Sequence, residues 1–270
     1  MIPFKNVMHL RAGKATIIKP VDNSGSRGVL LITDDSDMQH SYNYASKHSI
    51  SGTVIIEDFM ESPEVSVETL TVGGVTKVIA ITDKLTTGAP YFVEIGHSVP
   101  SQLPISTKEA ITRLAIKAIK ALDIKSGPTH TEIIVTKDGP KIVEIGARLG
   151  GGYITTHLVP LATGVNLVEN CIKIALGETP CINHWDKTLG SSIRYLTPRQ
   201  GRVLSINGVE RAKNMRGVVE MQLSFKVGDI ISPITDCSKR VGYVIAKADT
   251  PEEACKICED ALTSISIEFE

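Results

Sequence analysis

The sequence predicts an α+β protein, because short β-branched segments fill its first half, a long amphipathic helix follows, and a second strand-rich run closes the chain. Segments 15–21, 28–32, 53–58, 64–70 and 75–81 carry Val, Ile and Thr in runs of strand length, bounded by Gly, Ser, Asp or Pro clusters. Residues 35–48, between two of these strands, form a weaker amphipathic helix. Apolar residues at Ala110, Ile111, Leu114, Ala115, Ala118, Ile119 and Leu122 recur at helical spacing, behind a capping box at Ser106-x-x-Glu109. Residues 129–136 and 141–145 then make a hairpin that turns at Lys137-Asp138-Gly139-Pro140. A helix over 165–176 stops at Gly177, a residue that takes the left-handed conformation of a C-cap at no steric cost. From about Trp185, short strands (192–196, 201–206, 217–223, 241–246) alternate with Gly and Pro turns, before one helix and a last strand at 264–269. The expected organisation is therefore three consecutive segments, 1–60, 61–185 and 186–270, the last a small β-rich subdomain.

Composition narrows the function classes. The chain has 270 residues, 29 Lys+Arg against 30 Asp+Glu, and no basic or acidic block, so it lacks the charge footprint of a nucleic-acid binder. No apolar run reaches the length of a membrane span, and the first residues lack a signal peptide's apolar segment, so a soluble cytoplasmic protein is expected. Five scattered cysteines, an odd number, argue against a disulfide framework. Cys255-Lys-Ile-Cys258 spells C-x-x-C, but it sits behind the capped helix start Thr250-Pro-Glu-Glu253 with no second ligand pair, and core packing explains it better than zinc or redox chemistry.

Three groups of residues carry chemistry. In the hairpin, a turn centred on Asp138 sets Glu132 directly opposite Glu144. Like charges facing each other about 5 Å apart are destabilising, so the pair needs a shared proton or a cation; two unrelated glutamates on a solvated outer face are the alternative. Two hard oxygen donors suit Mg²⁺ or Mn²⁺, whose other positions go to water and phosphate oxygens. Arg148 and Gly150-Gly-Gly152 follow Glu144, an arginine able to clamp a carboxylate or phosphoryl group and a run that allows close approach of a ligand. The second group is Lys19 at a strand end, followed by a Gly/Ser loop with Ser24, Gly25, Ser26 and Gly28. It offers a point charge and backbone N–H groups for phosphates, although a plain hairpin turn would also account for it. The third group, Glu57, Asp58 and Phe59 with Glu64 beyond, can present a carboxylate and backbone groups to an adenine edge and a ribose; a solvated strand end is the alternative.

Taken in order and spacing, the lysine–glycine loop, the Glu-Asp-Phe hinge, the Glu64-x-Ser66-x-Glu68 strand, the paired glutamates and Glu144-x-x-x-Arg148 resemble the ATP-grasp superfamily. The nearest likeness is to its carboxylate–amine ligases, related to the carbamoyl-phosphate synthetase large chain, biotin carboxylase and phosphoribosylamine–glycine ligase. The resemblance covers about residues 15–180 and implies an ATP-grasp fold, with residues 190–270 similar to the small barrel-like subdomain that ends those ligases. It implies Lys19 on the nucleotide phosphates under the Ser24–Gly28 loop, and Glu57 with the backbone near Phe59 on adenine. Glu64 would meet the ribose, Glu132 and Glu144 the metal, and Arg148 the acyl phosphate or carboxylate, with Lys84 and His97 on the acceptor side. His130 and His157 are read as ordinary polar or packing residues. The implied reaction is attack of a carboxylate on Mg-ATP to give an acyl phosphate, from which an amine displaces phosphate. Positioning and charge neutralisation do most of that work.

Two features depart from the family pattern. Gly146 stands where members often carry a metal-holding Asn, and the chain begins eighteen residues before Lys19, where related ligases place a Rossmann-like domain and a further ATP-contacting lysine. Neither Lys5 nor Lys14 replaces that lysine convincingly. The expectation is an N-terminally truncated ATP-grasp ligase that a partner subunit carrying the missing lobe would complete, or else an ATP-binding module without independent turnover. Self-association into a homo-oligomer is expected as well, because a truncated lobe exposes apolar surface.

Overall fold

Alternation of apolar and polar residues builds the first sheet. In β1 (Thr16–Pro20), Thr16, Ile18 and Pro20 are buried, and Ile17 and Lys19 take the other face. β1 is the middle strand between β2 (Leu30–Ile32) and β3 (Val54–Asp58), antiparallel to both. Ile18, Leu30 and Ile32 pack with Met38 and Ala45 of the helix Met38–Lys47, whose first turn is capped by Asp37 accepting from the His40 amide at 3.0 Å. The computed structural model describes residues 15–33, 37–183 and 188–270, so the start expected for this helix at Asp35, Lys5, Lys14 and the segment boundary at 186 lie outside the described residues.

This sheet belongs to the smaller of two compact units, made of Met1–Glu61, Thr86–Ile95 and Ser232–Arg240. The last segment straps the glycine loop: the Cys237 amide donates to the Gly25 carbonyl at 3.0 Å, and a Cβ on Gly25 would stand 3.3 Å from the Cys237 Cβ.

The larger unit, Ser62–Leu85, Gly96–Ile231 and Val241–Glu270, holds an eight-stranded sheet. Its strands are β4 (Glu64–Val72), β5 (Val75–Thr86), β6 (Glu94–Val99), β7 (Gly127–Thr136), β8 (Gly139–Gly146), β9 (Gly190–Tyr195), β11 (Val218–Leu223) and β13 (Gly242–Ala248). They run in the order β11-β13-β9-β6-β5-β4-β7-β8, and a separate sheet joins β12 (Ile230–Ile231), β10 (Gly201–Asn207) and β14 (Ser266–Phe269). On one face, Val65, Val67, Ile81 and Ile133 pack against Ile111 and Ala115 of the helix Ile105–Ala121. Further along, Met221, Val244 and Ala246 pack with Cys258 and Ala261 of the helix Pro251–Thr263, each buried. The opposite face is apolar toward β9 and β13, where Ile193, Tyr195, Tyr243 and Ile245 meet Ile154, Leu158 and Val159, and polar toward β4, β7 and β8.

Local signals account for most of these elements. Thr250 caps the last helix through its Oγ1, which accepts from the Glu253 amide at 3.2 Å, and Gly177 ends the helix Leu167–Ala175 at φ 76°. Replacing Thr250 by Ala is expected to cost about 1 kcal/mol, measured as a fall in the urea midpoint at constant slope. Cys258 is buried as expected of a core residue, and Cys255 and Cys258 are free thiols.

Two expectations change. The helix Ile105–Ala121 starts at Pro104 with no side-chain cap, so the Ser106–Glu109 box does not form; Pro104 sets the entry by its fixed φ. The strands after residue 190 do not close into a barrel among the described residues, because β9, β11 and β13 extend the large sheet. By compactness, segments 86–95 and 232–240 group with the first unit.

Candidate active site

The hairpin β7–β8 sets the key register by a route the sequence conceals. Thr136 pairs with Gly139 across a two-residue turn, and a straight ladder from there would put Glu132 opposite Val143. A β-bulge intervenes: Ile133 pairs with Ile142 and Glu132 with Glu144, leaving Val143 as the extra residue. Bulges re-aim side chains in this way beside functional sites.

Alternation then gathers a charged row on the polar face of the larger unit's sheet. Glu64, Ser66 and Glu68 share one side of β4, and His130 and Glu132 share that side of β7, with Ser66 opposite Glu132 and Glu68 opposite His130. Lys84 on β5 lies 2.7 Å from Glu64 Oε1 and 3.0 Å from Glu132 Oε2. His130 Nε2 is 3.4 Å from Glu132 Oε1, and its Nδ1 is 2.6 Å from Glu68 Oε1. The buried hydroxyls of Ser66 and Thr82, paired in register, have no hydrogen-bond partner among the described residues.

The electrostatics follow from this row. Burial opposes a charge on His130, but Glu68 and Glu132 overcome it and push its pKa up to about 10, so the imidazole is a cation between two carboxylates. Burial likewise opposes ionisation of Glu132, yet Lys84 and His130 hold it well below the usual carboxylate range. Glu64 is pushed up to about 7, first by burial and then by Glu132, with Lys84 offsetting part of the rise.

Glycines roof this row. A Cβ on Gly150 would meet Glu68 Oε1 at 2.6 Å and His130 Nδ1 at 2.8 Å, so only glycine lets the loop lie directly on that pair. Gly152, at φ 60°, lies as closely on the buried His97, where a Cβ would stand 2.9 Å from Nε2. Arg148 Nη2 is 3.9 Å from Glu144 Oε1, and the arginine side chain folds over Gly146, where a Cβ would meet its Cγ and Nε at 3.1 Å.

The first unit holds the remaining candidates. Lys19 Nζ and Glu57 Oε2 lie 2.6 Å apart on the face of the three-stranded sheet away from its helix. Asp58 pairs in register with Thr16, and the Phe59 amide donates to Ala15 at 3.1 Å, its ring 5.5 Å from that of Phe92. The loop from Ser24 to Gly28 is shaped by positive φ at Gly25, Ser26 and Gly28. The Ser26 hydroxyl donates to the Phe92 carbonyl at 3.0 Å, and Arg27 ties back to Asn23 at 2.8 Å and Ser24 at 3.1 Å. At its base Asp22 accepts from the Ser49 hydroxyl and the amides of Ile50 and Ser51, bonds that pull its pKa down to about 2.

Within the larger unit, the structure thus brings Glu64, Lys84 and Glu132 together with Glu144 in register; within the smaller it joins Lys19 to Glu57. Reading along the chain missed the part played by Glu68 and His130. The available signal was the even spacing of Glu64 and Glu68 (i, i+4) and of His130 and Glu132 (i, i+2) on two strands able to pair. No cluster of three or more His, Cys, Asp or Glu side chains suited to a metal occurs among the described residues, so a cation here would depend on two carboxylates and on ligands from outside the chain.

Comparison with known proteins shows the family. A family model described as an ATP-grasp domain matches residues 12–157, and one described as L-amino acid ligase C-terminal domain 2 matches residues 194–270. An uncharacterized protein of Sinorhizobium fredii is 30% identical over 257 residues, covering 94% of this chain and 53% of its own length. Dapdiamide A synthase of Enterobacter agglomerans is 23% identical, covering 87% of this chain and 58% of its own. The crystal structure of L-amino acid ligase from Bacillus licheniformis superposes with a TM-score of 0.78 at 25% identity, over 95% of this chain and 64% of that one. The chain therefore spans about half the length of the curated relatives it matches.

Proposed function

The chain belongs to the ATP-grasp family, and from that premise we propose that it serves ATP-dependent joining of a carboxylate to an amine. The observation that carries this reading is the bulge-set pairing of Glu132 with Glu144 beside Lys84, on a strand that leads into Arg148 and the glycine roof. The match of residues 194–270 to the L-amino acid ligase domain supports an amino acid as one substrate.

The donor set fits a hard divalent cation. Two carboxylates on neighbouring strands are what Mg²⁺ takes from a protein when phosphate oxygens and water supply the rest, and Glu132 is held ionised by its neighbours. Glu132 and Glu144 would hold Mg²⁺ (or Mn²⁺), which neutralises charge on the nucleotide phosphates when bound. In this reading Lys19 places a point charge on the phosphates and the Ser24, Gly25, Ser26 and Gly28 backbone surrounds them. Glu57, Asp58 and Phe59 hold adenine, and Glu64 the ribose. A substrate carboxylate oxygen attacks the γ-phosphorus, ADP leaves, and an acyl phosphate forms. Arg148 steadies that group as a bidentate donor. The amine then attacks the acyl carbon, its proton departs, and inorganic phosphate is released with the amide. Lys84 and His97 are assigned to the acceptor side.

The test is ADP release by the purified chain with Mg-ATP and pairs drawn from a panel of amino acids and small carboxylic acids. ADP release that needs both partners and matches amide formed supports the ligase. Mg-dependent ATP binding with no release across the panel would favour a nucleotide-binding module without turnover.

A further inference from the structure

The sheet face that carries the acidic row continues to the opposite edge of the same unit, where a second polar group faces the same glycine roof. His97 pairs with Ile193, Tyr195 with Tyr243, and Tyr243 with Gln222, so this face runs through β6, β9 and β13 to the edge strand β11. Gly152 lies on His97, with a Cβ 3.7 Å from the Tyr195 hydroxyl, and the next residue is Tyr153. Tyr153 has φ 62°, a left-handed conformation uncommon for a bulky side chain, and a single π-helical turn, Ile154–Leu158, follows it. Both features concentrate at ligand sites.

Around Tyr153 the groups form a walled carboxylate. Its ring centre is 4.5 Å from that of Tyr243 and 5.1 Å from that of His157. Glu220 accepts from the Tyr243 hydroxyl through Oε1 and stands 3.3 Å from His157 Nε2 through Oε2. The one phenolic proton of Tyr243 is shared between Glu220 and the Gln222 carbonyl oxygen, which lies 3.0 Å away. Each Glu220 oxygen thus keeps lone pairs beyond the one donor it faces, and the ring of Tyr153 packs against the two rings whose edges meet the anion. A primary ammonium supplies three donors and a positive charge, and is drawn to ring faces as well as to a carboxylate. The site is open to a solute, since the Glu220 side chain is 40% exposed.

We propose that Glu220, walled by Tyr153, Tyr243 and His157, binds the non-reacting ammonium group of an amino-acid substrate. This rests on the ligase reading and adds to it the chemistry by which such a substrate is chosen over a plain carboxylic acid or amine. The link to the reacting end is the glycine roof, where Gly150 lies on Glu68 and His130, Gly152 on His97, and the next residue, Tyr153, beside Tyr243.

The experiment is calorimetric titration of matched probes into the full chain with Mg²⁺ and the non-hydrolysable β,γ-imido analogue of ATP. The pairs are alanine against propionate and lysine against norleucine, each differing by one ammonium. In at least one pair, the member bearing the extra ammonium should bind about tenfold or more tightly, a difference of about 1.4 kcal/mol. The preference should fall below about twofold in Glu220→Gln, weaken in Tyr153→Leu, and survive in part in Glu220→Asp, while the affinity for the imido analogue stays unchanged. Equal binding within both pairs, no binding of any probe, or a preference that persists in Glu220→Gln would overturn the proposal. Failure of the wild type to bind the imido analogue would count against the ligase reading alone. The ammonium preference would then be decided by the same titrations without nucleotide.

Discussion

Replacing Lys84 by methionine is expected to destabilise the protein by about 3–5 kcal/mol, the cost of leaving a buried ion pair without one partner. Methionine keeps most of the stem volume, so the loss reports the ammonium group. That group stands 2.7 Å from Glu64 and 3.0 Å from Glu132, and its side chain is 5% exposed. Without it two carboxylates share a low-dielectric pocket, and one must take a proton or turn toward water. Urea denaturation in the absence of metal measures the effect. The double variant Lys84→Met/Glu64→Gln should recover part of the loss, because the surplus charge goes with the glutamate. A fall of less than 1 kcal/mol in the single variant would mean that solvent already screens the cluster.

A comparable loss is expected for His130→Ala. Glu68 is 1% exposed, and its carboxylate lies 2.6 Å from His130 Nδ1 under the close roof of Gly150. Truncating the imidazole leaves that buried carboxylate without its cation, again at a cost of about 3–5 kcal/mol. It also removes one of the two cations that hold Glu132 ionised, so Mg-dependent nucleotide affinity should drop with stability. His130→Ala/Glu68→Leu should regain stability without regaining that affinity. Retention of wild-type stability in His130→Ala would show that Glu68 finds another partner.

These two residues also show where the sequence was legible. The pairing of Glu132 with Glu144 was anticipated from a turn centred on Asp138, yet the turn has two residues and a bulge at Val143 restores the register. Strand pattern and turn residues announce a hairpin but not a bulge, which depends on tertiary packing. The strands of the first half, the apolar stripe of Ile105–Ala121 and the cap at Thr250 follow from local spacing and were readable for that reason. The Ser106–Glu109 box failed because Pro104 already sets the helix entry. The row from Glu64 through Lys84, Glu132 and His130 to Glu68 joins three strands, and no local pattern reveals which cation lies between which acids. The strap at Cys237 on the glycine loop was hidden likewise, being more than two hundred residues away in the chain.

The central claim is that Glu132 and Glu144 together make ATP binding depend on a divalent cation. Titrating ATP into the wild-type chain with Mg²⁺ and with EDTA, beside Glu144→Ala, tests it most directly. Glu144 suits the purpose because its side chain is 41% exposed, so its removal separates loss of a metal ligand from loss of the fold. The account predicts binding that requires Mg²⁺ and weakens by about tenfold or more in Glu144→Ala, about 1.4 kcal/mol, at unchanged thermal stability. ATP binding that is indifferent both to EDTA and to Glu144→Ala would contradict it.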